Sequence, residues 1–166
     1  MSPHLRLVPA VAEPRPQKTF CGHCGEEPSS DIHGRVCESC GLGVLLTTNA
    51  DAAPGPNDPF MIVDGSLCVC AVSRVAEELL GTDETEAVNR HLSEFLVPAD
   101  AEASGPGDLV NLLVHAARGD GEVHDVVLRP TDEYGIRYWA RIGPCGPPRA
   151  ALMVLGDGST IRKPSV

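Results

Sequence analysis

Hydrophobic spacing changes twice between residues 59 and 158, and each change marks a different kind of element. Short apolar runs on either side of Asp64-Gly65 predict a β-hairpin. Apolar positions then recur every three or four residues, which predicts three helices, before alternation returns and predicts three more strands. This order of elements indicates an α+β unit. The predicted strands are residues 60–63, 67–72, 123–128, 136–142 and 150–155.

Capping residues indicate where the predicted helices begin and end. Ser73 precedes the first helix and Gly81 follows it. Asp83 and Glu86 have the spacing of a capping box, so a second helix is predicted to run from there to Pro98. A third helix follows Asp108 and ends before Gly119. The apolar stripe of the second helix contains Ala87, Val88, His91, Leu92, Phe95 and Leu96.

The segments outside this unit differ from it in composition. Residues 1–18 contain four prolines without a regular apolar period and are predicted to be a disordered tail. Residues 47–58 are rich in small residues, Asn, Asp and Pro, which is typical of a linker. Residues 159–166 are predicted to be a second tail. The remaining segment, residues 19–46, is predicted to fold as a separate small module.

Four cysteines in this small module have the spacing of a metal site. Cys21 and Cys24 form one C-x-x-C pair, Cys37 and Cys40 form another, and twelve residues separate the pairs. This spacing is typical of a tetrahedral four-thiolate zinc site in a zinc ribbon. The alternative is a redox dithiol, but no thioredoxin-like unit surrounds either pair. Because four thiolates leave no open coordination position, the single zinc ion is expected to be structural.

Charge and cysteine content limit the classes of function. The chain has 166 residues and a formal net charge of −10, which disfavours electrostatic binding to nucleic acid or to an anionic membrane. No apolar run is long enough for a membrane span, and the N-terminus lacks the pattern of a secretory signal. Seven cysteines, four of them in metal spacing, suit a reducing compartment. A cytoplasmic location is therefore expected.

The α+β unit resembles the PAS sensor family from residue 58 to about residue 159. The resemblance implies a five-stranded antiparallel sheet with strand order 2-1-5-4-3 and helices on one face. It also implies a sensory role through a small molecule, a cofactor or a protein partner. Ser73 and Asn89 depart from the residues that the family often has at those positions. The segments that carry the resemblance are Pro59–Asp64, Val72–Gly81, Asn89–Pro98, Leu128–Gly135 and Leu152–Asp157.

The resemblance implies a candidate ligand cavity between the helices and the sheet. His91 on the apolar stripe could be a polar contact for a small apolar ligand or a hydrogen-bonded core residue. Haem is not expected, and flavin photochemistry is not expected because the second helix lacks the cysteine of the light-sensing subgroup. The candidate cavity residues are His91, Leu92, Phe95 and Leu112.

Two other groups of residues have alternative interpretations. Arg137, Trp139 and Arg141 share one face of the fourth strand of the unit and could form either a dimer interface or a solvated stripe. The three remaining cysteines are interpreted as small apolar sheet residues, with redox activity as the alternative. These cysteines are Cys68, Cys70 and Cys145.

The sequence contains no nucleophile elbow, no phosphate-binding loop and no zinc-protease motif. We therefore expect a non-catalytic signalling protein that acts through a protein partner or a homodimer. The first alternative is a transcription-associated zinc-ribbon protein that contacts nucleic acid or polymerase. The second alternative is a thiol redox switch that releases zinc.

Overall fold

The computed structural model describes residues 13–29, 34–100 and 106–156. The predicted tail at 159–166 and most of the tail at 1–18 lie outside these residues. Within them the chain forms an antiparallel sheet of eight strands with three short α-helices, so the predicted α+β class is confirmed. The strands are β1 (Gln17–Cys21), β2 (Leu45–Asn49), β3 (Phe60–Val63), β4 (Val69–Val72), β5 (Leu96–Pro98), β6 (His124–Pro130), β7 (Tyr138–Gly146) and β8 (Ala150–Gly156).

The sheet is organised around β7, which is its longest strand. One edge of β7 pairs with β8, and the other edge is shared between β6 and β2. From β8 the sheet continues through β3 to β4, and from β6 it continues to β5. The strands of the α+β unit thus pair in the order β4-β3-β8-β7-β6, and the β1–β2 hairpin joins the same sheet at the end of β7.

One face of the sheet, called the inner face here, is covered by the helices. α1 (Arg74–Leu80), α2 (Glu84–Ala87) and α3 (Pro106–Ala117) lie on this side, and Leu113 of α3 is fully buried. Ser73 caps α1 by accepting a hydrogen bond from the Ala76 amide at 3.2 Å, and Gly81 ends the helix in a left-handed conformation with φ 63°. The predicted caps of the first helix are therefore confirmed.

The opposite face, called the outer face here, has an apolar cluster of its own. Its centre is formed by Phe60, Ile62, Leu152 and Val154, each at most 4% exposed. Phe20 of β1 covers this cluster, and its ring meets the Phe60 ring edge-on with 5.6 Å between the centroids. The β1–β2 hairpin therefore packs against the sheet of the α+β unit.

The second predicted helix is much shorter than its apolar stripe indicated. α2 ends at Ala87, and Asn89 adopts a left-handed conformation with φ 68°. The backbone then pairs with the edge of the sheet, because the Asn89 amide donates to the Val69 carbonyl and the Val69 amide donates to the Arg90 carbonyl. A single 3-10 turn (Leu92–Glu94) and β5 follow. Pairing with β4 thus replaces the predicted helix after residue 88.

The predicted segment boundaries near the hairpin are also shifted. β1 begins at Gln17, inside the predicted tail, and β2 extends through Thr47 to Asn49, inside the predicted linker. Thr48 is buried, and its side-chain hydroxyl donates a hydrogen bond to the Pro144 carbonyl at 2.7 Å. The rest of the predicted linker lies along the sheet, where the Ala53 carbonyl accepts a hydrogen bond from Arg141 at 3.0 Å. The division of the chain into separate domains remains a prediction.

Candidate metal centre

Four cysteine sulfurs meet at the end of the β1–β2 hairpin. The Sγ atoms of Cys21, Cys24, Cys37 and Cys40 all lie within 4.8 Å of one another. The distance from Cys21 Sγ to Cys40 Sγ is 3.7 Å, and that from Cys24 Sγ to Cys37 Sγ is 3.8 Å. A tetrahedral ion with metal–sulfur bonds near 2.3 Å requires sulfurs about 3.8 Å apart. The two cysteine pairs that the sequence predicted are therefore close enough to share one metal ion.

Each cysteine pair is part of a tight backbone turn. The Gly25 amide donates to the Cys21 carbonyl at 3.0 Å, and the Gly41 amide donates to the Cys37 carbonyl at 2.9 Å. Gly25 and Gly41 close these turns with φ values of 75° and 68°, which glycine adopts without steric cost. The same local geometry is thus repeated twice, and in each turn it directs two sulfurs toward the same point.

Backbone amides stabilise negative charge on the sulfurs. The amides of His23 and Cys24 lie 3.4 Å and 3.5 Å from Cys21 Sγ, and the Gly43 amide lies 3.4 Å from Cys40 Sγ. Gly43 also leaves room for the site, because a Cβ built there would overlap Cys21 Sγ and lie 2.9 Å from His23 Cβ. The backbone therefore favours the thiolate form at Cys21 and Cys40, the form in which cysteine binds a metal.

The metal-free thiols differ in acidity. Burial raises the pKa of Cys21 to about 12 and also raises the pKa of Cys24. Burial has the same effect on Cys40, but hydrogen bonds from the Gly43 and Leu42 backbone and from the neighbouring thiols outweigh it and lower its pKa to about 6. A metal must therefore displace protons from the more buried thiols, as it does in other cysteine sites.

The first cysteine turn also contacts the rest of the sheet and α1. The His23 carbonyl accepts a hydrogen bond from the Arg74 amide at 3.0 Å. A Cβ built on Gly25 would lie 3.3 Å from the Phe60 ring, so the turn lies against this ring. Neither the contact with Arg74 nor the tight space at Gly43 could be predicted from the sequence, because both depend on how distant segments pack.

His91 is not part of the interior that the sequence predicted for it. Its side chain is exposed, and its Nδ1 atom lies 2.7 Å from the Ser93 hydroxyl. The same atom accepts a hydrogen bond from the Ser93 amide at 3.2 Å. Leu92 is buried, Phe95 packs against the inner core beneath Arg90, and Leu112 is half-buried on α3. His91 is separated from them because its backbone pairs with Cys68 at the edge of the sheet.

The predicted interface residues lie near one another at the outer face but differ in their contacts. Trp139 is 41% exposed and lies opposite Val127 of β6. Arg137 precedes β7 and forms an ion pair with Asp100 at 3.0 Å. Arg141 is half-buried and donates to the Ala53 carbonyl, as described above, while its Nε atom is buried without a hydrogen-bond partner. Trp139 is therefore the exposed apolar side chain of the three, while Arg137 is exposed but paired with Asp100.

The remaining cysteines are spread across the sheet. Cys145 belongs to the outer apolar cluster, and burial raises the pKa of its thiol to about 12. Cys68 is half-buried and immediately precedes the edge strand β4, and Cys70 is exposed within that strand. The apolar interpretation fits Cys145, whose high pKa disfavours the reactive thiolate.

Comparison with known proteins identifies PAS domains among the solved structures. No protein-family model matches the chain, and no curated protein matches it. The PAS domain of an HTR-like protein from Haloarcula marismortui is 17% identical, with a TM-score of 0.45 over 60% of this chain and 80% of that chain. The PAS domain of nitrogen regulation protein NR(II) from Vibrio parahaemolyticus is 16% identical, with a TM-score of 0.44 over 66% of this chain and 99% of that chain.

A third solved structure was determined with a bound ligand. The PAS domain of the RpfR quorum-sensing receptor from Cronobacter turicensis, in complex with BDSF, is 15% identical to this chain. Its TM-score is 0.45 over 63% of this chain and 96% of that chain. Separately, among the residues that the structure describes, no helix has the length and apolar character that crossing a membrane requires.

Proposed function

We propose that this chain is a non-catalytic, cytoplasmic signalling protein in which a PAS-like sensory or interaction domain carries a structural zinc ribbon. The observation that carries the proposal is the cluster of four sulfurs within 4.8 Å at the end of the hairpin. Four thiolates would fill a tetrahedral coordination shell and leave no position for a reacting water. A metal bound there would therefore stabilise the fold and would not catalyse a reaction.

The choice of zinc follows from the ligand set. Tetrahedral sites with four cysteine sulfurs are typical of zinc or of iron in iron–sulfur proteins. The two C-x-x-C turns separated by a short insert are the ligand spacing of structural zinc ribbons. We therefore assign one zinc ion to Cys21, Cys24, Cys37 and Cys40.

The sensory role is supported by the arrangement of the α+β unit. Its strands pair in the order β4-β3-β8-β7-β6, which matches the order that the PAS resemblance implies. The helices pack on one face of these strands. In this proposal the PAS-like unit signals through contacts with another protein or with a second copy. Trp139, which is 41% exposed on the outer face, is the residue best placed for such a contact.

Mass spectrometry of the intact protein under native conditions tests this proposal. We expect one zinc ion per chain, together with any retained apolar ligand and the oligomeric state. Cys24→Ser should lose the metal, and Gly43→Ala should weaken metal retention because the added methyl group overlaps Cys21 Sγ. Gly34→Ala is the matched control, since the nearest atom to its added Cβ is 4.0 Å away.

Two outcomes would contradict the assignment of zinc. If protein purified under reducing conditions contains no metal, the structural-zinc proposal is contradicted. A red-brown protein that contains iron would replace zinc with iron in the same cysteine site. Equal metal retention by Gly43→Ala and Gly34→Ala would show that the sulfurs are arranged differently.

A further inference from the structure

The outer face of the sheet is apolar and is covered by the chain's own hairpin. Phe60 and Leu152 are fully buried there, and Ile62 is 2% exposed. The covering element, called the cover here, is the β1–β2 hairpin together with its two cysteine turns. Among the described residues of the cover, Phe20 and Leu46 belong to the outer apolar cluster. The cover thus contributes little apolar surface of its own to the contact.

The end of the cover that lies far from the cysteines is attached by polar contacts. Asn49 Nδ2 donates to the Gly121 carbonyl at 2.9 Å, and the Thr48 hydroxyl donates to the Pro144 carbonyl at 2.7 Å. Arg15 also donates to the Gly121 carbonyl. β2 pairs with β7 through two residue pairs only, Thr47 with Gly146 and Thr48 with Cys145. None of these contacts involves a cysteine of the metal site, so they do not depend on metal.

The other end of the cover lies over the apolar cluster and depends on the cysteine turns. A Cβ built on Gly22 would lie 3.8 Å from Ile62 Cδ1, so the first turn lies directly on the outer face. The turn continues over the Phe60 ring at Gly25, and His23 is bonded to the start of α1. A two-stranded hairpin by itself is at best marginally stable in water. A metal shared by the four sulfurs would therefore add a strong constraint to the two turns, beyond their own backbone hydrogen bonds.

We propose that the metal holds a removable cover over the outer face of the sheet, and that metal loss opens this face at the cysteine end. This inference rests on the structural metal site proposed above. When the four thiols no longer share an ion, both cysteine turns lose the constraint that keeps them against Phe60 and Ile62. The cover then opens about its polar attachment at Thr48 and Asn49, while the α+β sheet keeps its own inner core.

The experiment compares the full-length protein before and after removal of metal by a chelator in the presence of a reductant. Two measurements are made: the fluorescence of a dye that binds apolar surface, and the emission of Trp139. Trp139 is the only tryptophan of the chain and lies on β7, away from the cysteine turns. We expect a several-fold rise in dye fluorescence with unchanged Trp139 emission. Restoring zinc should reverse the rise in dye fluorescence.

A variant separates opening of the cover from loss of the metal. Phe20→Ala keeps all four cysteines but removes the ring that packs on Phe60, so dye binding should rise even with zinc bound. Lys18→Ala is the control on the same strand, because the Lys18 side chain is 42% exposed and its charged group pairs with Glu27. Its dye binding should equal that of the unmodified protein. Equal dye binding by Phe20→Ala and Lys18→Ala would count against the cover.

The outcomes distinguish this inference from the proposed function. Zinc-loaded protein whose dye binding does not change on chelation would overturn the cover but leave the structural zinc site intact. Loss of the Trp139 signal on chelation would also overturn it, since the metal would then hold the whole fold together. Protein that never contains metal and still keeps its outer face covered would overturn both proposals.

Discussion

Ser73 illustrates how far a single residue can be interpreted from the sequence. Its place before an apolar helical stripe predicted a helix cap, and the 3.2 Å bond from the Ala76 amide confirms this. The same hydroxyl also accepts a hydrogen bond from the Phe60 amide at 2.9 Å, which could not be predicted from the sequence. That second bond depends on β3 packing beside α1. Ser73 therefore links the sheet to the helix as well as capping it.

Replacement of Ser73 tests this double role. Ser73→Ala should lower the free energy of unfolding by about 1–2 kcal/mol, because it removes a cap and leaves a buried amide of β3 without its acceptor. Urea denaturation of the metal-loaded protein measures the change. Ser66→Ala, at an exposed turn position, is the control and should stay within about 0.5 kcal/mol of the unmodified protein. Equal stability of the two variants would contradict the double role.

The cysteines and Gly43 differ in how well the sequence reveals them. Spacing alone predicted that the four thiols would meet, because each C-x-x-C turn directs two sulfurs to one side. Gly43 carries no such signal, since its importance comes from the approach of Cys21 Sγ to its backbone. A residue whose role depends on a distant segment becomes evident only when the fold is known.

At the scale of elements, the segment after α2 is the clearest difference between prediction and structure. Its apolar positions fit a helical stripe, but residue 89 is left-handed and the backbone pairs with β4. The exposed edge of β4 offers hydrogen-bonding groups that a longer helix would leave unpaired. Hydrogen bonding to this edge therefore determines the conformation of the segment, although its apolar pattern favours a helix. For this reason His91 lies on the surface.

Substitutions at Asn89 test how the helix is terminated. Asn89→Gly should leave the free energy of unfolding nearly unchanged, because glycine adopts a φ of 68° freely. Asn89→Ala should lower it by about 1 kcal/mol, since a left-handed conformation is costly for other L-residues. Urea denaturation of both variants provides the measurement. An alanine variant as stable as the glycine variant would show that the turn relaxes to another conformation.

For the whole molecule, the apolar runs contained a signal that both faces of the sheet are covered. All four residues of β3 are buried, as are the first six of β8. Continuous apolar runs of this kind are typical of strands that are buried on both faces. The predicted helices cover only the inner face, so another element had to cover the outer one. The composition of residues 47–58 predicted a linker, and the contact of the hairpin with the sheet was therefore missed.

The overall charge of the molecule leads to a prediction about nucleic acid. The formal net charge is −10, and four thiolates around a zinc ion would add a local charge of about −2. On the described part of the cover, Lys18 is paired with Glu27, and Arg35 lies close in sequence to Glu38.

Since phosphate contacts require free basic residues, we expect no binding of the zinc-loaded protein to duplex DNA at low micromolar concentration and about 150 mM salt. Fluorescence anisotropy of a labelled duplex at several salt concentrations measures this. If binding is seen, falls steeply with added salt and is weakened by Arg35→Ala, the cover contacts nucleic acid and the transcription-associated alternative replaces the signalling role.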